Sequence, residues 1–151
     1  MILILRINKA LYCRFSCCIM TFANDKLRNF VKEVSRGIVA TIESDGQPHI
    51  SVKNGRLRRD GTLELWNVFG GETVLNIEAN PRVCVTFTDF NEVKGYRFKG
   101  LGKIEREGER FTKVKENLAR ANWVLRALIR VHVKEVTLIS QKPDEVNKKI
   151  F

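Results

Sequence analysis

A succession of short apolar runs joined by tight-turn residues leaves this chain few ways to fold. Ile38-Val39-Ala40-Thr41-Ile42 is followed by Ser44-Asp45-Gly46-Gln47, and the run from His49 to Leu57 is followed by Asp60-Gly61. Glycine tolerates positive φ and aspartate bonds its own backbone, so both joints read as hairpin turns. Leu63-Glu64-Leu65-Trp66-Asn67-Val68 alternates as a third strand. Val83 to Thr88 reads as a fourth. Tyr96 to Ile104 reads as a fifth, with Tyr96, Phe98, Gly100, Gly102 and Ile104 on one face. The Val- and Ile-rich stretch from Ala127 to Ile139 reads as a sixth.

Helical signals are few. Leu27, Phe30, Val31 and Val34 form one stripe behind an N-cap at Asn24 or Asp25, with Gly37 as the stop. A short helix from Thr73 to Ala79 ends at Asn80-Pro81, because proline pushes its predecessor out of helical geometry. Phe111, Val114 and Leu118 fit a third stripe. Hairpin-linked strands with so little helix leave exposed edges unless the sheet closes on itself. The expected fold is therefore mainly β (α+β by class), a closed six-stranded antiparallel barrel with a few short helices, in one domain over residues 20–151.

Residues 1–19 stand apart. Ile2-Leu3-Ile4-Leu5 is apolar, but Arg6, Lys9 and Arg14 break the run beyond it. The stretch falls short of the roughly 20 apolar residues of a membrane helix and lacks the order of a signal peptide. It reads as an N-terminal extension, either a poorly packed arm or a segment upstream of a natural start at Met20. Of the four cysteines, Cys13, Cys17 and Cys18 crowd together and Cys84 lies in an apolar run. Without a CxxC pair or zinc-ligand spacing, they read as free thiols of a reducing, cytoplasmic protein.

Lys and Arg number 27 against 17 Asp and Glu, a net charge of +10. The excess points to an anionic partner without choosing among phosphate ligands, nucleic acids and membranes. No nucleophile-plus-base spacing, P-loop, GxGxxG or HExxH is present, and His49 and His132 read as strand-face residues. Gly70-Gly71-Glu72-Thr73 leaves a strand and opens a helix. Exposed N–H groups there make an anion seat, with the Thr73 hydroxyl and Asn76 one turn on. The plainer reading is that Thr73 caps a helix and the glycines turn the chain. Lys53, Arg56, Arg58 and Arg59 form a basic strand that period-two geometry divides between two faces. Lys53, between Ser51 and Asn54, is the better ligand candidate.

Taken in order, Gly37 to Ile42, Asp45-Gly46-Gln47-Pro48-His49, Asn67-Val68-Phe69-Gly70-Gly71-Glu72-Thr73, Asn76-Ile77 and Asn80-Pro81-Arg82-Val83 resemble the FMN-binding split barrels. These form the pyridoxamine phosphate oxidase-like superfamily, and within it the chain is most similar to the small flavin mononucleotide-binding proteins. Trp123 and Arg126-Ala127-Leu128-Ile129 echo their tail. The resemblance implies a split barrel that forms a homodimer, with one FMN in each of two interface clefts. It places Ser51, Val52, Lys53 and Asn54 along the flavin ring and ribityl chain, and Asn67 and Val68 at the ring. Thr73 and Asn76 fall at the phosphate. Trp123 either stacks near the partner's flavin or fills the dimer seam, the second being the plainer role for a large aromatic. Where many relatives carry a lysine beside the threonine, this chain has Glu72, so positive charge must come from Lys53, Arg56 or the partner subunit.

The implied activity is that of a flavin-dependent oxidoreductase or an electron-transfer protein, in which the flavin carries the electrons. Two alternatives stand beside it. One is a split-barrel reductase holding a deazaflavin, or haem in the same cleft. The other is a basic nucleic-acid-binding barrel without catalysis, using Arg97, Lys99 and Lys103.

Overall fold

A computed structural model describes residues 25–150 of the chain. The assignment of residues 1–19 to an extension and the Asn24 cap lie outside the described residues. Helix α1 runs to residue 34, with Leu27 and Val31 buried in the core and Phe30 edge-on to Tyr96 at 5.1 Å. The helix does not end at Gly37. Ser35 takes positive φ (58°) and its N–H returns to Val31 O at 2.9 Å, so the chain is already extended at Arg36. Gly37 is needed for space instead: a Cβ there would lie 2.8 Å from the Phe87 ring.

Six strands follow: β1 (Arg36–Ile42), β2 (Pro48–Leu57), β3 (Thr62–Asn67), β4 (Arg82–Asp89), β5 (Lys94–Glu105) and β6 (Ala127–Ile139). Helix α2 (Glu72–Ala79) joins β3 to β4, and α3 (Glu109–Ala119) joins β5 to β6. All neighbours pair antiparallel, and the sheet closes in the order β1-β2-β3-β6-β5-β4. Both expected hairpin turns form, closed by Glu43 N–H to Gln47 O at 2.8 Å and Arg58 N–H to Thr62 O at 2.8 Å. The mainly β, six-stranded antiparallel barrel expected from the sequence is the fold observed.

Alternation fills the barrel. Val39, Leu63, Leu65, Val85, Phe87, Phe98, Ile129 and Val131 are fully buried inside, with Phe87 and Phe98 packed edge to face at 6.0 Å. A second cluster lies under α3, where Phe111, Val114, Leu125 and Leu128 pack with Trp66 and Leu118. On β5, Tyr96 and Phe98 face inward as expected, and a register shift between Lys99 and Gly100 bends the long β5–β6 ribbon.

The wall is not evenly closed. β2 pairs with β1 from Pro48 to Asn54, but with β3 over Gly55–Leu57. β3 pairs with β6 along its whole length, from Thr62↔His132 to Asn67↔Ala127, but beyond Leu65 it no longer pairs with β2. The half of β2 from Pro48 to Asn54 therefore keeps one edge unpaired with β3. This is the split that positions the site.

Candidate functional site

The open half of β2 sorts its side chains by period two. His49, Ser51 and Lys53 share the inward face, while Ile50 (65% exposed), Val52 (63% exposed) and Asn54 face out. The inward row reaches two distinct polar clusters. One is at Lys53, and the other, at Ser51 and His49, lies about 7–13 Å along the strand by the rise of two to four residues.

At the far end of the row, Lys53 is buried, and its Nζ donates to Asn67 Oδ1 at 2.9 Å across the split. Burial lowers the amine from the ordinary lysine value. A single side-chain acceptor thus serves an ammonium that has three hydrogens to donate. Around this point opens a cavity of about 320 Å³, lined by Val52, Lys53, Asn54, Trp66, Val68 and Trp123, with Phe69, Leu118 and Ala121 completing the wall. The Trp66 indole N–H is buried without a hydrogen-bond partner. Phe69 and Trp123 meet edge to face at 5.7 Å on the rim and are 82% and 45% exposed. Such a cleft offers donors to the acceptors of a flat ring and apolar surface to its faces.

At the near end, Ser51 Oγ and Thr73 Oγ1 lie 2.8 Å apart, and Thr73 Oγ1 lies 3.4 Å from His49 Nε2. The other ring nitrogen of His49 lies 3.4 Å from Glu43 Oε1. Thr73 sits in the first turn of α2, entered through Gly70 (φ 75°) and Gly71 (φ 100°), conformations that glycine adopts without strain. Asn76 is buried and its Nδ2 donates to Thr41 Oγ1 at 3.1 Å, which ties α2 to β1. Thr73 is likewise buried, with its hydroxyl in the Ser51–His49 cluster rather than closing a side-chain cap on α2.

The residues expected at the site thus fall into two groups. Val52, Lys53, Asn54, Val68 and Trp123 line one cleft, with Asn67 behind it as the lysine's acceptor. Ser51 and Thr73 form the other group, with Asn76 on the barrel side of α2. The sequence presents His49 as a plain strand-face residue, and no spacing signals its contact with Thr73, which the packing of α2 creates. Trp66 likewise looks like a strand residue alone, and only the split beside it turns its indole toward a cavity.

Arg56 is committed elsewhere. Its Nε donates to Glu64 Oε2 at 3.1 Å, Arg110 gives Glu64 two bonds at 2.6 Å, and Arg58 Nε stands 3.8 Å away. Glu64 is 1% exposed. Burial pushes its carboxyl up, and the bonds from Arg110 and Arg56 with the charges of Arg110 and Arg58 more than reverse this, leaving it below the ordinary glutamate value. The basic residues of β5 have surface partners, in Lys99–Glu135 (3.2 Å), Lys103–Glu105 (4.0 Å) and Arg97–Asn147 (3.3 Å). Among the described residues no His, Cys, Asp and Glu group is fit to hold a metal, and no helix is long and apolar enough to cross a membrane.

Comparison with known proteins agrees with this architecture. A family model described as pyridoxamine 5'-phosphate oxidase matches residues 23–149. HupZ of Group A Streptococcus is 28% identical, with a TM-score of 0.71, over 78% of this chain and 94% of that one. An FMN-binding protein from Syntrophomonas wolfei is 15% identical, with a TM-score of 0.69, over 89% and 97% of the two chains. A putative pyridoxamine 5'-phosphate oxidase from Lactobacillus delbrueckii is 20% identical, with a TM-score of 0.63, over 74% and 89%. No curated protein matches.

Proposed function

Because this chain belongs to the pyridoxamine 5'-phosphate oxidase family, we propose that it binds FMN along the open half of β2 and serves as a flavin-dependent oxidoreductase or electron-transfer protein. The observation that carries the reading is the pairing of two clusters on one strand edge. A cleft of about 320 Å³ with buried donors lies at Lys53, and a hydroxyl pair lies at Ser51 and Thr73 further along the same row. A spacing of about 7–13 Å suits a ligand with a flat ring at one end and a phosphate at the other.

When bound, the flavin supplies the electron-transfer chemistry, and the protein supplies binding, orientation and local charge. Lys53, held by Asn67, sets a positive charge at the cleft and favours a ring that carries negative charge. Phe69 and Trp123 shield the ring's apolar portion from water. No acid–base pair is required of the chain for this role.

The outer face of the same sheet supports assembly with a second copy. Ile38, Ala40 and Ile42 on β1 stand opposite Val52, Ile50 and Pro48 on β2, a continuous apolar strip beside the cleft. Ile50 and Val52 are each more than half exposed, which a partner copy would relieve. We place the cleft at a homodimer seam on this basis, with Trp123 at its rim. The deciding measurement is the absorption spectrum of freshly purified, untagged protein. A flavin spectrum with about one FMN per subunit is expected, and a colourless protein that fails to bind added FMN overturns the reading.

A further inference from the structure

A phosphate dianion at the start of α2 needs a cation, and the local sequence supplies the opposite charge. Glu72 occupies the first turn of α2. Arg56 is drawn away to Glu64, and Lys53 is occupied at the other end of the row. The fold brings a different cation to this turn. Arg126 precedes β6, and its backbone N–H donates to Asn67 O at 2.9 Å, which fixes it beside the end of β3. From there its side chain runs along Gly70: a Cβ built on that glycine would meet Arg126 Cδ at 3.6 Å and Nη1 at 3.8 Å.

Its place against Gly70 distinguishes Arg126 from Arg36, Arg82 and Arg120, whose side chains are likewise without partners among the described residues. Arg56, Arg58 and Arg110 converge on Glu64, Arg106 pairs with Glu78 and Arg130 with Glu105. Arg126 is exposed, and among the described residues its guanidinium has no hydrogen bond or ion pair. An unpaired guanidinium is a planar fork of donors matched to phosphate oxygens. Here it stands over a turn of two glycines whose lack of side chains leaves room for the anion to approach.

We propose that Arg126 grips the phosphate of the bound ligand and supplies the positive charge that Glu72 denies the α2 turn. The proposal rests on reading the cleft as an FMN site and specifies how the phosphate end is recognised. The ligand class is a phosphate monoester carrying a flat ring. Gly70 serves the arrangement through its positive φ (75°), which turns the chain beside the Arg126 stem, and Glu72 makes it selective, because an anion held without the guanidinium meets a carboxylate.

The test compares FMN with riboflavin, which lacks the phosphate, on wild type, Arg126→Gln, Arg126→Lys and the charge-matched control Lys113→Gln on α3. Removing a hydrogen bond to a charged group predicts that Arg126→Gln weakens FMN roughly 10- to 100-fold. Riboflavin affinity should not change, and the salt dependence of FMN binding should flatten. Arg126→Lys should recover part of the loss, and Lys113→Gln should behave as wild type. An unchanged preference for FMN over riboflavin in Arg126→Gln overturns the proposal while leaving the ring site intact. A wild-type protein that binds neither flavin overturns the FMN reading instead. Thermal stabilisation by inorganic phosphate then decides Arg126: stabilisation lost in Arg126→Gln supports it, and no stabilisation of the wild type refutes it.

Discussion

The two halves of β2 solve the problem of buried charge in opposite ways. From Gly55 to Leu57 the strand is paired with β3, and the charge beneath it is satisfied from within: Glu64 collects Arg56, Arg58 and Arg110. From Pro48 to Asn54 one edge is left without β3, and the groups there are under-supplied. Among the described residues Lys53 keeps a single side-chain acceptor, the Trp66 N–H has none, Arg126 is unpaired, and Ile50 and Val52 are more than half exposed. A folded chain tolerates a buried donor without a partner at a cost of about 1–3 kcal/mol. The closed wall is not free of such costs, since Arg130 Nε and Thr137 Oγ1 are also buried without a partner among the described residues, but its carboxylate is fully supplied with cations. The contrast is one of charge: cations crowd the carboxylate of the closed half, while the open half holds a buried lysine with one side-chain acceptor.

Glu64→Ala attacks the closed half most directly. It removes the buried carboxylate and leaves a small void beside three partly exposed guanidiniums that water can reach, so the loss of its charged hydrogen bonds predicts about 1–3 kcal/mol in denaturant unfolding. A loss below about 1 kcal/mol would mean that the closed half is not held by its charges.

On the open half, Ile50→Glu should leave the barrel folded, with far-ultraviolet circular dichroism unchanged, yet abolish association in sedimentation velocity. A variant that still sediments as the wild type removes the outer strip from the interface.

Lys53→Met should act oppositely to Glu64→Ala. Burial holds the Lys53 amine below its ordinary value, so an ionised amine costs stability at neutral pH, and the cost is relieved as pH rises through the folded value toward about 10.4. The methionine should leave the ligand-free protein as stable or up to about 1 kcal/mol more stable, while weakening flavin roughly tenfold. Marked destabilisation with full flavin affinity would make Lys53 a structural residue.

Acidification should separate the halves most gently. The Glu64 carboxyl is held below its ordinary value when folded, so its contribution is complete above the unfolded value near about 4.3 and is lost as pH falls through the folded value. A Glu64→Gln background should show a shallower loss of stability in that acid range than the wild type, measured by thermal midpoints from about pH 5 downward. Parallel curves would remove Glu64 from the acid response.

Much of the fold is legible along the chain. Asp45-Gly46 and Asp60-Gly61 announce their hairpins because turn conformations are local properties of those residues. The sixth strand, Ala127–Ile139, is bounded by its branched residues alone. Family resemblance points to Val52, Lys53, Asn54, Val68 and Trp123, and the fold brings them to one cavity. Other positions mislead for want of tertiary information. Gly37 looks like a helix stop, but it is a strand residue kept small by the Phe87 ring. Arg56 looks available for a ligand, and Glu64 like an ordinary polar strand position, until β3 and α3 place a carboxylate among guanidiniums. Arg126 draws no attention as a ligand, because nothing in its neighbours along the chain states that it lies against Gly70.

Period-two patterning and turn chemistry act over a few residues, so the residues alone point to the six strands and the antiparallel barrel, while the order in which the strands close it comes from the structure. Which edge of β2 stays open, which cations are consumed by Glu64 and which side chain lies against Gly70 depend on contacts between residues far apart in the chain. Those contacts exist only once the sheet has closed, which is why no local pattern could carry them.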